Sequence, residues 1–382
     1  MKKIFALALA AMMALAAFAG CSNGNSAKDD SFVIGGIGPL TGDYATYGVS
    51  VKQGAELAVK EINEAGGING VPVTLLFEDD QVDAEMAVNA YNKLMDDGMD
   101  VSLGAVTSGA CIAVSEKAHE DGILMITPSG SQVECIQYDN AFRICFADPE
   151  QGVNAAKFLA NNNVAKKIAI IYDKSNDYSN GFKESFVASA AELGLEIVSE
   201  QAFTNQSNTD FSVQLQAIAS TDAELVFLPI YAQEAAYILT QAKSAGMEQI
   251  FFGGDGLDGI IEKIGADNIA ATEGLMFLTP FDTQADEQNI KFTADYQAAY
   301  NATPDQFAGD GYDAIYTIKA AAEHAGVKPG DKDFNEKIIA AMTEITVDGT
   351  TGTMQWSADG APNKAAAVVV LHDGVPSAYT GK

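Results

Sequence analysis

The chain has 382 residues, with 22 basic against 52 acidic side chains and a formal net charge of −30. That charge excludes a favourable field for nucleic acid and any attraction to an anionic membrane surface; by itself it means solubility, and no cationic substrate is read from it. The length exceeds what one compact core holds, so two domains are expected, and four cysteines exclude a disulfide scaffold.

Residues 1–21, MKKIFALALAAMMALAAFAGC, place Lys2 and Lys3 before an uncharged apolar run from Ile4 to Ala19 and close on Gly20-Cys21. The run reads as an export signal and not as a span, which needs about 20 apolar residues. A small residue directly before Cys resembles a bacterial lipoprotein cleavage site, which makes Cys21 the expected lipidation site. Phe18 departs from the aliphatic residue usual three before that Cys, and a plain secretory signal with an incidental Cys is the alternative. Residues 22–31, SNGNSAKDDS, are polar and without periodicity, as in a flexible tether.

From Phe32 onward, short β-branched runs alternate with amphipathic stretches. FVIGGIG (32–38) predicts a strand, and 48–67 a helix whose Val51, Ala55, Ala58, Val59 and Ile62 recur at helical spacing. VPVTLLFED, VSLGAV and ILMIT follow as strands, with helices AEMAVNAYNKLMDDG and CIAVSEKAHEDG between them. After a break near Ala147-Asp148-Pro149 the rhythm returns. KIAIIYD, ELVFLPIY and QIFFGGD are the strands there, with helices at 178–193, 210–219 and 232–246. Residues 285–343 read as mostly helical, and TGTMQW and AAAVVVLHDG as strands. Repeated βα units predict parallel sheets covered on both faces, and two such blocks predict two doubly wound α/β domains.

Catalytic and metal constellations are lacking. His119, His324 and His372 are far apart, and no HExxH, CxxC, Walker loop or GxSxG occurs. The expectation is no enzyme, no cofactor and no metal site. Glu78-Asp79-Asp80 reads as a solvated or interlobe rim.

A polar or aromatic residue does recur after strand ends, where open parallel sheets bind ligands and helix N-termini offer unpaired N–H groups. These are Thr107-Ser108-Gly109, Ser129-Gly130-Ser131, Tyr178, Tyr231 and Asp255. Two hydroxyl-bearing turns suit a carboxylate, and a lone Asp on the opposite block suits an ammonium. Together they describe the α groups of an amino acid. Plainer readings stand beside this: Ser108 and Ser131 as helix N-caps, Tyr178 as a core or rim aromatic, and Phe307 as core.

IGPLTGDYATYGVSVKQGAELAVKEINEAGGINGVPVTLLFEDDQ, GILMITPSGS and YDKSNDYSNGF resemble the leucine/isoleucine/valine-binding family of periplasmic binding proteins in order and spacing, roughly from Phe32 to Gly374. The resemblance implies the type I fold, two doubly wound parallel-sheet lobes joined by a three-crossover hinge that closes on the ligand. Lobe 1 would be 32–147 and 280–366, and lobe 2 148–279 and 367–382. It implies that Ser108 and Ser131 hold the carboxylate, that the Ser129 carbonyl accepts from the ammonium, and that Asp255 stands where relatives often carry Glu. Tyr178 and Tyr231 reach in from the second lobe, and Tyr47, Val106, Thr107 and Phe307 line the side-chain pocket. The disulfide of some members has no counterpart; Cys111 and Cys135 either pair or remain buried thiols. The implied protein is a monomeric, lipid-anchored, extracytoplasmic binding subunit for an amino acid, branched-chain first of all. It delivers to an ABC permease and its ATPase. A ligand-binding subunit of an extracellular sensor for amino acids or amides is the alternative.

Overall fold

The structure is a computed structural model and describes residues 31–380. The export signal, Cys21 and the tether up to residue 30 lie outside the described residues. Five short apolar segments form the first sheet: β1 (Phe32–Gly38), β2 (Val73–Asp79), β3 (Val101–Leu103), β4 (Met125–Thr127) and β5 (Ala141–Arg143). They run parallel in the order β2-β1-β3-β4-β5, with Phe32 beside Val73 and Gly38 beside Asp79. Helices α1 (Ala45–Glu64), α2 (Ala84–Asp96) and α3 (Ser108–Asp121) connect them. Every residue of β1 is buried, as a strand covered on both faces requires.

The second sheet contains β6 (Lys167–Asp173), β7 (Glu196–Phe203), β8 (Leu225–Leu228), β9 (Ile250–Gly253) and β10 (Met276–Thr279). It alternates with α4 (Asp148–Asn161), α5 (Asp177–Glu192), α6 (Ser212–Ala219), α7 (Ala232–Ser244) and α8 (Ile260–Ile264). The chain then returns to the first lobe through α9 (Glu287–Tyr300), α10 (Gln306–Ala325) and α11 (Phe334–Ala341). The hairpin β11 (Thr346–Gly349) and β12 (Gly352–Gln355) follows. It crosses a third time to add β13 (Ala367–His372) and β14 (Val375–Ala378), giving the order β14-β13-β10-β9-β8-β6-β7. The chain thus passes between the sheets three times.

Packing explains how the first lobe closes from segments so distant in sequence. Phe32, Ile34, Ala55 and Ile62 share one core with Phe292, Tyr312, Ile315, Phe334 and Trp356. Each fully buried large apolar side chain contributes about 1.5–3 kcal/mol. The long helices α1 and α10 touch backbone to backbone: a Cβ on Gly54 would lie 1.9 Å from the Ala308 carbonyl oxygen, and one on Gly311 2.2 Å from that of Val51. Only glycine permits this approach. The contact carries Tyr47 of α1 onto Phe307 of α10, their ring centroids 4.7 Å apart.

Several expectations need correction. β5, β7 and β10 are strands that patterning did not single out. The second sheet is parallel except at one edge, where β13 runs antiparallel to β10 and to β14. Asp80 is fully buried, not solvated. Burial raises its carboxyl to about 6, with bonding from the Val82 N–H in opposition. Of the two outcomes left open for Cys111 and Cys135, the second holds: both are buried free thiols, as is Cys145.

Candidate functional site

The cleft wall of the first lobe is built from the ends of β3 and β4. Thr107 is extended (φ −95°, ψ 149°) and α3 begins at Ser108, so the free N–H groups of that helix open beside the cleft. The turn after β4 is held rigidly. Thr127 Oγ1 donates to the Ala105 carbonyl at 2.8 Å and accepts from the Gly130 N–H at 2.8 Å. Ser129 Oγ donates to the Val106 carbonyl at 2.7 Å, and Ser108 Oγ accepts from the Gln132 N–H at 3.3 Å. The buried Arg143 guanidinium donates to the Ser131 and Gln132 carbonyls. Ser131 Oγ, by contrast, is buried without a partner. Neither serine caps a helix: Thr107 occupies the N-cap position of α3, and Gln132 that of the short 133–136 turn.

The opposite wall comes from the second lobe. Asn176 caps α5 through the Ser179 N–H, which fixes Tyr178 in the first turn. Tyr231 occupies the N-cap position of α7 and stacks on Tyr178, with centroids 5.2 Å apart and ring planes 6° from parallel. Tyr178 Oη accepts from the Gly256 N–H at 3.1 Å, and Gln151 Oε1 accepts from the Asp255 N–H at 3.2 Å. Asp255 is 3 % exposed and its Oδ1 has no partner. Burial raises its carboxyl to about 6, while the neighbouring Tyr178 hydroxyl and Gln151 side chain pull it part of the way back.

All ten residues singled out from sequence, Tyr47, Val106, Thr107, Ser108, Ser129, Ser131, Tyr178, Tyr231, Asp255 and Phe307, meet around one cavity, joined by Gly256. Tyr47 spans the cleft: its hydroxyl accepts from the Ala232 N–H at 2.8 Å and donates to the Gly256 carbonyl at 2.7 Å, both on the second lobe. Tyr44 does likewise, donating to Glu234 at 2.5 Å.

Sequence reasoning missed Gly256, Asp148 and Gln151. Asp148 is 1 % exposed, and neither of its oxygens has a hydrogen-bond partner. Burial pushes its carboxyl well up, the nearby Ser131 hydroxyl opposes this, and the charge of Asp255 adds to it. An acid in the first turn of a helix carries no signal that distinguishes it from an ordinary dipole-stabilising one. None of the three histidines lines the cavity. Among the described residues no group of three or more His, Cys, Asp or Glu is placed to hold a metal, and no helix is long and apolar enough to cross a membrane.

Two lobes that each end parallel strands at a shared cleft define a bilobal solute-binding protein. The periplasmic binding protein family model matches residues 31–375, and the chain belongs to that family. It is 32 % identical over 353 residues to the Leu/Ile/Val-binding protein homolog 3 of Brucella melitensis biotype 1, covering 91 % of this chain and 93 % of that protein. It is 34 % identical over 331 residues to the Leu/Ile/Val-binding protein BraC3 of Rhizobium johnstonii, covering 84 % of this chain and 88 % of that one. Among solved structures, the branched-chain amino acid transporter substrate binding protein LivJ of Streptococcus pneumoniae, in complex with isoleucine, superimposes with a TM-score of 0.84. It is 28 % identical, and the match covers 91 % of this chain and 98 % of that one. The family and these relatives are solute-binding proteins, and the family implies an extracytoplasmic location.

Proposed function

We propose that this protein captures a free α-amino acid, a branched-chain one first of all, and delivers it to an ABC permease and its ATPase without catalysing a reaction. The observation that carries this is a pair of unpartnered buried polar atoms on opposite walls of one cavity: Ser131 Oγ, a donor, and Asp255 Oδ1, an acceptor. Buried polar groups of this kind cost free energy until a partner arrives. An α-carboxylate meets Ser131, Ser108 and the open N–H groups of α3, and an α-ammonium meets Asp255 and the Ser129 carbonyl. Tyr178 and Tyr231 cover the ligand from the second lobe. The rings of Tyr47 and Phe307, with Val106 and Thr107, form the side-chain end, which is apolar but for the one hydroxyl of Thr107 and suits a group of aliphatic shape.

The lobes divide at 32–147 with 280–366 and at 148–279 with 367–382, and the three connections between them act as the hinge. The working protein is a monomer held at the outer membrane face by lipid on Cys21. The relatives' named ligands, Leu, Ile and Val, support the ligand class. Denaturing the purified protein and identifying any released amino acid by mass spectrometry tests the reading, together with thermal shifts by leucine and leucinamide. Leucine should stabilise and leucinamide should not; equal shifts would overturn the α-carboxylate assignment.

A further inference from the structure

Thr107 occupies a position where threonine ordinarily has a local task. At a helix N-cap its hydroxyl accepts from the N–H two or three residues on. Thr107 has the extended backbone of an N-cap residue but makes no capping bond, and its Oγ1 has no hydrogen-bond partner at all. The residue is 4 % exposed and lines the cavity. On the same wall, Thr127 Oγ1, Ser129 Oγ, Ser108 Oγ and Tyr47 Oη are all hydrogen-bonded to backbone groups. Only Thr107 and Ser131 among these hydroxyls are left unpaired.

Ser131 has a partner in the α-carboxylate under the reading above, on which this inference rests. Thr107 has none in an aliphatic ligand. A buried hydroxyl without a partner is a cost that valine in its place would avoid at the same size.

We infer that Thr107 is a specificity residue that hydrogen-bonds a side-chain hydroxyl on the ligand, so that the site takes threonine in preference to its isostere valine. The two amino acids have nearly the same shape, so the apolar rings of Tyr47 and Phe307 accept both. What differs is whether the Thr107 hydroxyl is paired when the cleft closes. A site built around a hydrogen bond discriminates strongly against the analogue that lacks it, whereas an apolar pocket discriminates weakly against one added hydroxyl.

Isothermal titration of the full chain with L-threonine and L-valine tests this, with L-leucine and L-isoleucine as references. Threonine should bind on the order of tenfold more tightly than valine, about one net hydrogen bond. Thr107→Val should remove or invert that ratio, and Thr107→Ser, which keeps the hydroxyl, should preserve it. Equal or tighter binding of valine by the parent would overturn the inference. So would a Thr107→Val protein in which both ligands weaken by the same factor, since that places the hydroxyl on the shared α-carboxylate. If leucine binds and the threonine-to-valine ratio is unity, this inference fails alone; if no α-amino acid binds, the amino-acid reading of the site fails and takes this inference with it.

Discussion

Asp258 and Asp305 bring two carboxyl groups from opposite lobes onto the first turn of α10. Asp258 accepts from the Gln306 N–H at 3.0 Å, while Asp305, the residue just before Gln306, accepts from the Ala308 N–H at 2.9 Å and from Ser50 Oγ at 2.8 Å. Burial first, and then the charge of Asp258, raise Asp305 to about 8, and Glu262 adds to the rise. Burial raises Asp258 as well, while the Gln306 and Gly259 N–H groups oppose it. Asp255 feels Asp258 from the ligand side and Tyr296 feels Asp305 from α9. Lys263, whose charged neighbours are Asp43, Glu262 and Glu234, donates to the Asp43 carbonyl.

Ligand affinity is expected to fall as pH rises from roughly 6 to about 8. Apart from the other lobe, Asp305 returns toward a carboxylate pKa of about 4, so closing takes up a proton. A group raised in the closed form favours closure at low pH, and that contribution is lost as pH climbs to the raised value of about 8. Below about 6 the rise levels off, because Asp255 protonates and loses its attraction for an ammonium, which offsets the gain from Asp305. Titrations across this range should give a plateau below about 6 and a falling limb up to about 8, and Asp305→Asn should flatten that alkaline limb, which is limited to about tenfold per pH unit. An alkaline limb unchanged in Asp305→Asn would exclude this pair as its source.

Asp255→Ala is expected to abolish amino-acid binding without unfolding the protein. Losing one partner of a buried charge-assisted bond costs about 2–5 kcal/mol, at least roughly 30-fold in Kd. Because the Asp255 carboxyl is buried with an unpaired oxygen, the unliganded variant should melt no lower than the parent. Calorimetric titration and thermal melts of both proteins check this, and parental affinity in the variant would place the ammonium elsewhere.

Tyr47→Phe should weaken every ligand by a similar factor. The change leaves the Ala232 N–H and the Gly256 carbonyl unpaired when the lobes meet. At about 1–3 kcal/mol for unsatisfied buried groups, Kd should rise roughly 5- to 150-fold. Fluorescent labels on the two lobes should report a more open unliganded population; an unchanged interlobe distance distribution would contradict this role.

Lys364→Met should destabilise more than any of these. Lys364 is 1 % exposed at its side chain, 3.1 Å from a fully buried Asp310, and it also donates to the Ile144 carbonyl and to Thr351 Oγ1. Leaving Asp310 unpaired costs about 3–5 kcal/mol, a fall in Tm of roughly 6–20 °C. The double replacement Lys364→Met with Asp310→Leu should recover much of that in a thermal melt, because both buried charges are then gone.

How much of this was legible follows from where each signal lies. The βα rhythm and the polar residues after strand ends are local patterns, and they brought out Thr107, Ser108, Ser129, Ser131, Tyr178, Tyr231 and Asp255, whereas Tyr47, Val106 and Phe307 came from the family resemblance; all ten surround the cavity. β7 escaped because Glu196–Phe203 is a half-exposed edge strand carrying Glu196 and Glu200, with no continuous apolar run. β10 and β5 are only four and three residues long. The burial of Asp148 and of Asp80, and the facing of Asp258 by Asp305, arise when distant segments pack, so nothing near them in sequence announces it. Of the two tyrosines that bridge the cleft, Tyr47 was visible as a pocket residue but not as an interlobe tie, and Tyr44 was not singled out, for the same reason.

The contact of α1 with α10 has a consequence for the order in which the molecule is assembled. Gly54 meets Ala308 and Gly311 meets Val51 across some 250 residues of intervening chain, and the core of the first lobe needs both helices. The first lobe therefore cannot acquire its native core until the segment through Trp356 has been made, whereas β6 to β10 of the second lobe are contiguous and lack only the edge hairpin β13–β14. Contacts this remote in sequence slow folding. The half of the protein whose synthesis starts first is thus the half whose core is completed last.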